Sequence, residues 1–302
     1  MATVNKRVHQ PQALTINAIA AGGLVTHNIN IGYDDEVQNA VDGMALAFTD
    51  LLTEFVRGTF TTEDWVHAIE LLTGTGTDVF YQRKSGTAEA SGYIKHTITN
   101  PVIYKIQLVL THRKRANVTG SYECKAADEN DGIADLWTMT DSQAAPTQID
   151  PAAGLEITAC ALGSLSIYHV TRLELNIEMP LLKASQDGDV GYTAVDAIQS
   201  GMRAYGSISF QDAEITTSQI KAAQLLATAR ASLVATVKQA QGASAKTLTI
   251  AGVKFNSAGQ TTNAGSHGGT VNPDEFTANF IITNNTTTPL TIAGTNKIVT
   301  IS

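Results

Sequence analysis

One strand is written twice in this chain, and that repetition limits the fold more than any other feature. Residues 14–24 read Leu-Thr-Ile-Asn-Ala-Ile-Ala-Ala-Gly-Gly-Leu, and residues 155–165 read Leu-Glu-Ile-Thr-Ala-Cys-Ala-Leu-Gly-Ser-Leu. At an offset of 141 (155 − 14), six positions coincide: Leu14/Leu155, Ile16/Ile157, Ala18/Ala159, Ala20/Ala161, Gly22/Gly163 and Leu24/Leu165. All six fall on every second residue. Alternate side chains of a β-strand share a face, so one face is kept while the other differs. The pattern predicts a duplicated β-module that packs an equivalent surface twice. Such repetition points to symmetric assembly more than to chemistry.

Other islands recur at a steady offset of 154. Ala40-Val41-Asp42 returns as Ala194-Val195-Asp196, and Ala68-Ile69-Glu70-Leu71-Leu72 as Ala222-Ala223-Gln224-Leu225-Leu226. Residues 79–84 fall on 233–238, and Tyr122 falls on Phe276. Copy two is then expected to carry 13 extra residues (154 − 141), placed in the turn chemistry of residues 183–193. Between the islands identity is near background, so the alternative is coincidence between two alanine- and threonine-rich strands.

With 302 residues there is room for two ordinary domains. The balance of 20 basic and 28 acidic residues, a net charge of −8, argues against a grip on phosphate backbones. It leaves open a protein past which nucleic acid slides. Cys124 and Cys160 show no Cys-x-x-Cys spacing and read as thiols of a reducing compartment. Lys6-Arg7 before an apolar run imitates a leader, but Thr15 and Asn17 interrupt that run and the same strand recurs internally. No apolar stretch reaches transmembrane length. The expectation is a soluble chain, cytosolic at birth, with no membrane partner.

Each copy reads as two short strands, an arm, a long strand, one helix and further strands. In copy one the arm covers residues 33–43 and the helix 64–72, where Thr61-Thr62-Glu63-Asp64 offers a hydroxyl N-cap with acids in the first turn. In copy two the arm covers 183–201 and the helix 218–229, behind the capping-box spacing Thr216-x-x-Gln219. That second helix should present Ile220, Ala223 and Leu226 on one face. The fold class is therefore mainly β: two tandem sandwich or barrel modules, each with one flanking helix and a long arm loop. Residues 1–128 form the first module, 129–153 the linker, and 154–302 the second module with a C-terminal hairpin at 289–301.

Motifs for chemistry are lacking. Gly74-Thr75-Gly76 follows a helix and reads as its stop rather than as a dinucleotide loop; there is no P-loop, His-Glu-x-x-His or Gly-x-Ser-x-Gly. The seven histidines (His9, His27, His67, His96, His112, His169 and His267) form no ligand spacing. No catalytic residue, metal or cofactor is expected. Asp34-Asp35-Glu36 and Asp128-Glu129-Asn130-Asp131 read as solvated acidic loops, and His112-Arg113-Lys114-Arg115 as a solvated or subunit-contacting turn.

The doubled Leu-x-Ile-x-Ala-x-Ala-x-Gly-x-Leu strand, the two Ala-x-x-Leu-Leu helices and the arms around Ala40-Val41-Asp42 and Ala194-Val195-Asp196 resemble the tail tube proteins of tailed bacteriophages, in the form holding two modules per subunit. The resemblance covers most of the chain as architecture, in a family without a diagnostic short motif. It implies a non-enzymatic virion protein whose homotrimers close pseudo-hexameric rings that stack into a tube. Double-stranded DNA would pass through without specific binding, and tape measure, tail terminator and distal tail proteins would be further partners. Ring and stacking contacts are expected at Val37, Val41 and Met44, and at Val190, Val195 and Ile198; the duplicated strand face is Leu14, Ile16 and Ala18 with Leu155, Ile157 and Ala159. Two other assemblies compete. A DNA sliding clamp needs basic helices lining its hole, and a double-jelly-roll capsid subunit needs eight strands in each half.

Overall fold

The computed structural model of the chain describes residues 9–16, 19–21, 23–39, 46–69, 72, 78–84, 92–125, 133–144, 146, 154–184, 194–197, 201–211, 221–239, 244–261, 275–284, 289–292 and 295–302. The fold is mainly β, with large antiparallel sheets and short helices. It opens with β1 (His9–Ile16), β2 (Ile19–Ala21), β3 (Leu24–Asn39), β4 (Leu46–Thr62) and α1 (Trp65–Ala68). Next come β5 (Asp78–Lys84), β6 (Tyr93–Ile98), β7 (Pro101–Thr111), β8 (Asn117–Cys124), α2 (Ile133–Leu136) and β9 (Trp137–Gln143). β10 (Leu155–Leu162), β11 (Leu165–Ile167), β12 (Val170–Glu178), β13 (Leu181–Ala184), β14 (Ala194–Ala197) and β15 (Arg203–Gln211) follow. The chain closes with α3 (Lys221–Ala227), β16 (Ala231–Gln239), β17 (Lys246–Thr261), β18 (Glu275–Ile282) and β19 (Val299–Ile301).

Two compact units share the chain. The first takes Met1–Ile106, Thr119–Pro151 and Met179–Ser200; the second takes Gln107–Val118, Ala152–Glu178 and Gly201–Ser302. Compactness thus draws its boundaries elsewhere than residues 128 and 154. The tip of the β7–β8 hairpin counts with the second unit, and the β13–β14 ladder with the first.

In the first unit one sheet runs β2-β1-β5-β6-β9, and a second set runs β7-β8-β4-β3. Phe60, Phe80, Ile94, Ile98 and Tyr122 are buried on these strands, at 1% exposure or less. In the second unit the order is β11-β10-β16-β17-β18-β15-β12, with β19 on β17. Here one strand does the work that β6 and β7 share in the first unit. β17 pairs with β16 through residues 246–253 and with β18 through 253–261. In the first unit Pro101 interrupts the run, because proline has no N–H to continue a ladder.

The same local features recur in the two units. β1 pairs with β5 across a bulge between Pro11 and Ala13, and β10 pairs with β16 across a bulge between Ile157 and Ala159, an offset of 146 (159 − 13). A second bulge lies between Leu24 and Thr26, matched between Val170 and Arg172, again 146 (170 − 24). Gly23 and His169, also 146 apart, both have left-handed backbone, φ 57° and 52°. Their carbonyls accept from Glu63 N at 3.0 Å and Gln211 N at 3.1 Å. Thr61 and Thr119 join hydroxyls, as Ser209 and Thr277 do. Asn100 (φ 47°) accepts from Lys125 N, and Gly252 (φ 72°) from Thr283 N, both at 2.9 Å.

These features correct the register read from the sequence. The first strands correspond at 146 rather than 141, so Leu14 takes the place of Cys160 and not of Leu155. Tyr122 corresponds to Phe280 (280 − 122 = 158) rather than to Phe276. The 13-residue excess also disappears, because Gly58 and Gly206 differ by 148, only two more than the strands before them. The cause is physical. Strand alternation alone fits more than one register, and only the opposing strands, with a bulge at the equivalent place in each unit, tell the registers apart.

Other expectations shift locally. Helix α1 is a single turn whose N-cap is Asp64, not a hydroxyl residue; its carboxylate accepts from Val66 N and His67 N at 3.2 and 3.1 Å. Asp64→Ala should cost about 1 kcal/mol, read as a lowered urea midpoint with unchanged slope. In α3 the buried residue is Leu225, while Ala223 and Leu226 are exposed and Ile220 lies outside the described residues. Residues 137–143, read as linker, form β9 on the edge of the first sheet. Residues 289–301 do not make a free hairpin. Ile298 N donates to Thr291 O at 2.8 Å, and β19 continues onto β17 through Leu248↔Ile301. The arm expected over residues 33–43 is strand as far as Asn39.

Candidate functional site

Of the expected contact residues, Val37 lies on β3 opposite Thr49, and Val195 on β14 opposite Lys183. They occupy separate ladders. Val41, Met44, Val190 and Ile198 lie outside the described residues, as does Ala18. Leu14, Leu155 and Ile157 are buried, Ala159 is exposed, and Ile16 pairs with Ile19 where β1 turns into β2.

The longest element pair is β3 with β4, in register from Leu24↔Thr62 to Asn39↔Leu46. Sixteen residues of strand, at about 3.4 Å each, reach roughly 50 Å. Ordinary strands run about 5–6 residues. From Tyr33 to Glu54 the sequence holds six acidic residues and no lysine, arginine or histidine. Along the ladder Glu36 is the partner of Asp50.

The first unit packs half-buried His27 and His96 against Phe80 and Tyr122. His27 lies 3.8 Å from Phe80, nearly parallel, and its Nε2 is 3.0 Å from the Tyr122 hydroxyl. His96 stands 6.5 Å from His27, edge to face. Burial, and secondarily the charge His96 would carry, pushes the His27 pKa down to about 3. The ring is therefore neutral at physiological pH. By ladder register, His27, Phe80, His96 and Tyr122 occupy positions like those of Leu173, Ala235, Leu248 and Phe280, and these four are all buried.

The outer faces diverge as well. Arg57 Nε lies 2.9 Å from Glu123 Oε2 in the first unit. The corresponding pair in the second unit is Tyr205↔Ile281, exposed at 39% and 40%.

A cleft of about 670 Å³ opens within the second unit, around the β10 bulge. The β7–β8 turn forms one wall and is clamped to β10: Arg113 N donates to Leu155 O at 2.6 Å, and Leu155 N to Lys114 O at 2.8 Å. His112 N donates to Thr171 O at 2.8 Å, and His112 Nδ1 accepts from Ile157 N at 3.2 Å. A neutral His112 ring then carries its proton on Nε2 as a donor. Arg113 (φ 62°) and His169 (φ 52°) both line the cleft in the left-handed region. Keeping a side chain there costs about 1 kcal/mol over glycine. Tyr168, Thr158 and Gln211 add polar groups, and among the described residues no Asp or Glu lines the cleft. Cys160 at its floor is held protonated, burial raising its pKa to about 12, so it is no nucleophile at neutral pH.

The sequence singled out the basic run but placed no cleft beside it. His169 carried no signal, because only the fold brings it to Arg113. Among the described residues no cluster of three or more His, Cys, Asp or Glu can hold a metal, and no helix is long and apolar enough to cross a membrane. No protein-family model matches the chain, and no curated protein matches it.

Proposed function

We propose that this chain is a structural subunit of a bacteriophage tail tube, one module used twice, with three chains closing a pseudo-hexameric ring. The observation that carries the reading is the recurrence in both units of the same two bulges, the same left-handed positions and the same cross-strand hydroxyl pair. Two like modules per chain suit a ring in which alternate positions are nearly equivalent. The long β3–β4 hairpin supplies an arm of the length that stacking requires. The acidic balance suits a channel that must not retain DNA, since retention depends on basic neutralisation of phosphates. In this reading the work is mechanical rather than catalytic. The product is a virion component assembled in the host cytoplasm, meeting tape measure, terminator and distal tail proteins at the tube and its ends.

Concentrated protein should form rings or tubes under negative stain, and native mass measurement should give three chains per ring. Six chains per ring would remove the two-module arrangement and leave the tube. Icosahedral shells, or monomers at every concentration, would remove the tube itself.

A further inference from the structure

We propose that the cleft of the second unit binds a small organic carboxylate, its oxyanion held by Arg113 and His112 and its body lying against the rings of Tyr168 and His169. The site lies within one unit, and its failure would leave the assembly proposed above untouched. At about 670 Å³ the cleft has the size of a ligand pocket.

Its cationic wall is fixed before a ligand arrives. Arg113 N donates to Leu155 O at 2.6 Å, Leu155 N to Lys114 O at 2.8 Å and His112 N to Thr171 O at 2.8 Å, which ties the turn to β10 and β12. Holding the wall in place removes part of the ordering cost of binding. His112 Nδ1 accepts from Ile157 N at 3.2 Å, so Nε2 is the ring nitrogen that carries hydrogen and donates. Arg113 adds a guanidinium, whose paired N–H groups match the two oxygens of a carboxylate. Among the described residues no Asp or Glu lines the cleft. Glu275 accepts from the Thr171 hydroxyl and does not itself line it. One guanidinium with no acid beside it in the lining suits a ligand of single negative charge. Ala159, Ala161 and Val234 are not fully buried and Tyr168 is 58% exposed, which leaves apolar surface in the cleft for the rest of the ligand.

The backbone points to the same place. Arg113 at φ 62° and His169 at φ 52° keep side chains in the left-handed region that glycine occupies freely. In the first unit the place equivalent to His169 is held by Gly23, at φ 57°. The second unit thus keeps a side chain at a strained position where its sister has none, and that side chain lines the cleft. Strain of this kind gathers at ligand-holding sites.

The test is ligand-observed NMR titration of the intact chain with three probes. These are benzoate, its neutral near-isostere benzamide, and acetate, which has the charge without the body. Benzoate should bind with a Kd of about 1 mM or tighter, and benzamide and acetate each about tenfold or more weakly. Arg113→Gly should weaken benzoate about tenfold or more. Its melting temperature should stay close to wild type, since glycine accepts the left-handed backbone and the turn keeps its backbone hydrogen bonds. Should that chain not fold by circular dichroism, Arg113→Asn takes its place, neutral and tolerant of the same backbone, with the same weakening expected. Lys114→Gln, next in the chain but outside the cleft lining, should leave the affinity within about twofold. Equal affinity for benzoate and benzamide, an equal loss from Lys114→Gln, wild-type benzoate binding without the Arg113 guanidinium, or no saturation by benzoate below about 10 mM would each overturn the site.

Discussion

Gly206→Ala is expected to be the most destabilising single-methyl change in the protein. A Cβ at Gly206 would overlap the Glu174 carbonyl oxygen and approach Phe280 Cζ to 2.5 Å. The first obstacle is backbone inside the β12–β15 ladder and cannot rotate aside. The cost should therefore reach the upper end for overpacking, about 3 kcal/mol. At roughly 2–4 °C per kcal/mol in a unit this size, the melting temperature should drop by roughly 6–12 °C. Gly58→Ala should behave alike, since its Cβ would overlap the Tyr122 ring and lie 2.6 Å from Asn28 O. The parallel is the informative part. Gly58 and Gly206 correspond at 148, Asn28 and Glu174 at 146, and Tyr122 and Phe280 at 158, so one packing arrangement is tested twice. Gly259→Ala meets nothing within 4 Å and serves as the control, with a change inside about 0.5 kcal/mol. Equal melting temperatures for Gly206→Ala and Gly259→Ala would show that the tight approach is not a constraint.

The second large effect concerns pH. His27 has a folded-state pKa near 3 against 6.5 for the unfolded chain, lowered first by burial and then by His96. Between those values the unfolded state binds the extra proton. Stability contributed by neutral His27 is thus full above pH 6.5 and is lost as pH falls towards 3. The slope is about 1.4 kcal/mol per pH unit, so acidification from pH 7 to 4.5 should remove roughly 2–3 kcal/mol. Carboxylates titrate in the same range, so the quantity to read is a difference. Groups packed around the ring are Phe80 on β5, His96 on β6 and Tyr122 on β8. His27→Leu, which installs the residue type the second unit uses at Leu173, should flatten the urea midpoint against pH over 4.5–7. Parallel profiles for wild type and His27→Leu would mean that the ring is protonated at little cost.

Much of the fold was legible because it depends on local rules. Alternating apolar residues in 155–162 and 246–255, turn residues at regular spacing and the absence of long helical periodicity specify antiparallel sheet whatever surrounds them. The acidic balance and the single basic run His112-Arg113-Lys114-Arg115 needed no structure to be seen.

Tertiary structure decided the rest, and for one recurring reason. Register, burial and site geometry depend on partners distant in the chain. The Pro11/Ala13 and Ile157/Ala159 bulges set the true correspondence at 146, because a bulge is defined by the opposing strand and not by its own residues. His27 shows no titration anomaly in sequence; its depressed pKa exists only because Phe80, His96 and Tyr122 close around it from other strands. Residues 137–143 read as linker because Pro146 and Pro151 lie in the same stretch, and pairing with β6 makes them an edge strand. The cleft assembles His112, Ile157, His169 and Gln211 from four separate stretches of the second unit. The sequence by itself thus determined the strand class and the segregation of charge. Which residues meet was decided by long-range pairing, whose energy lies in contacts that no local pattern encodes.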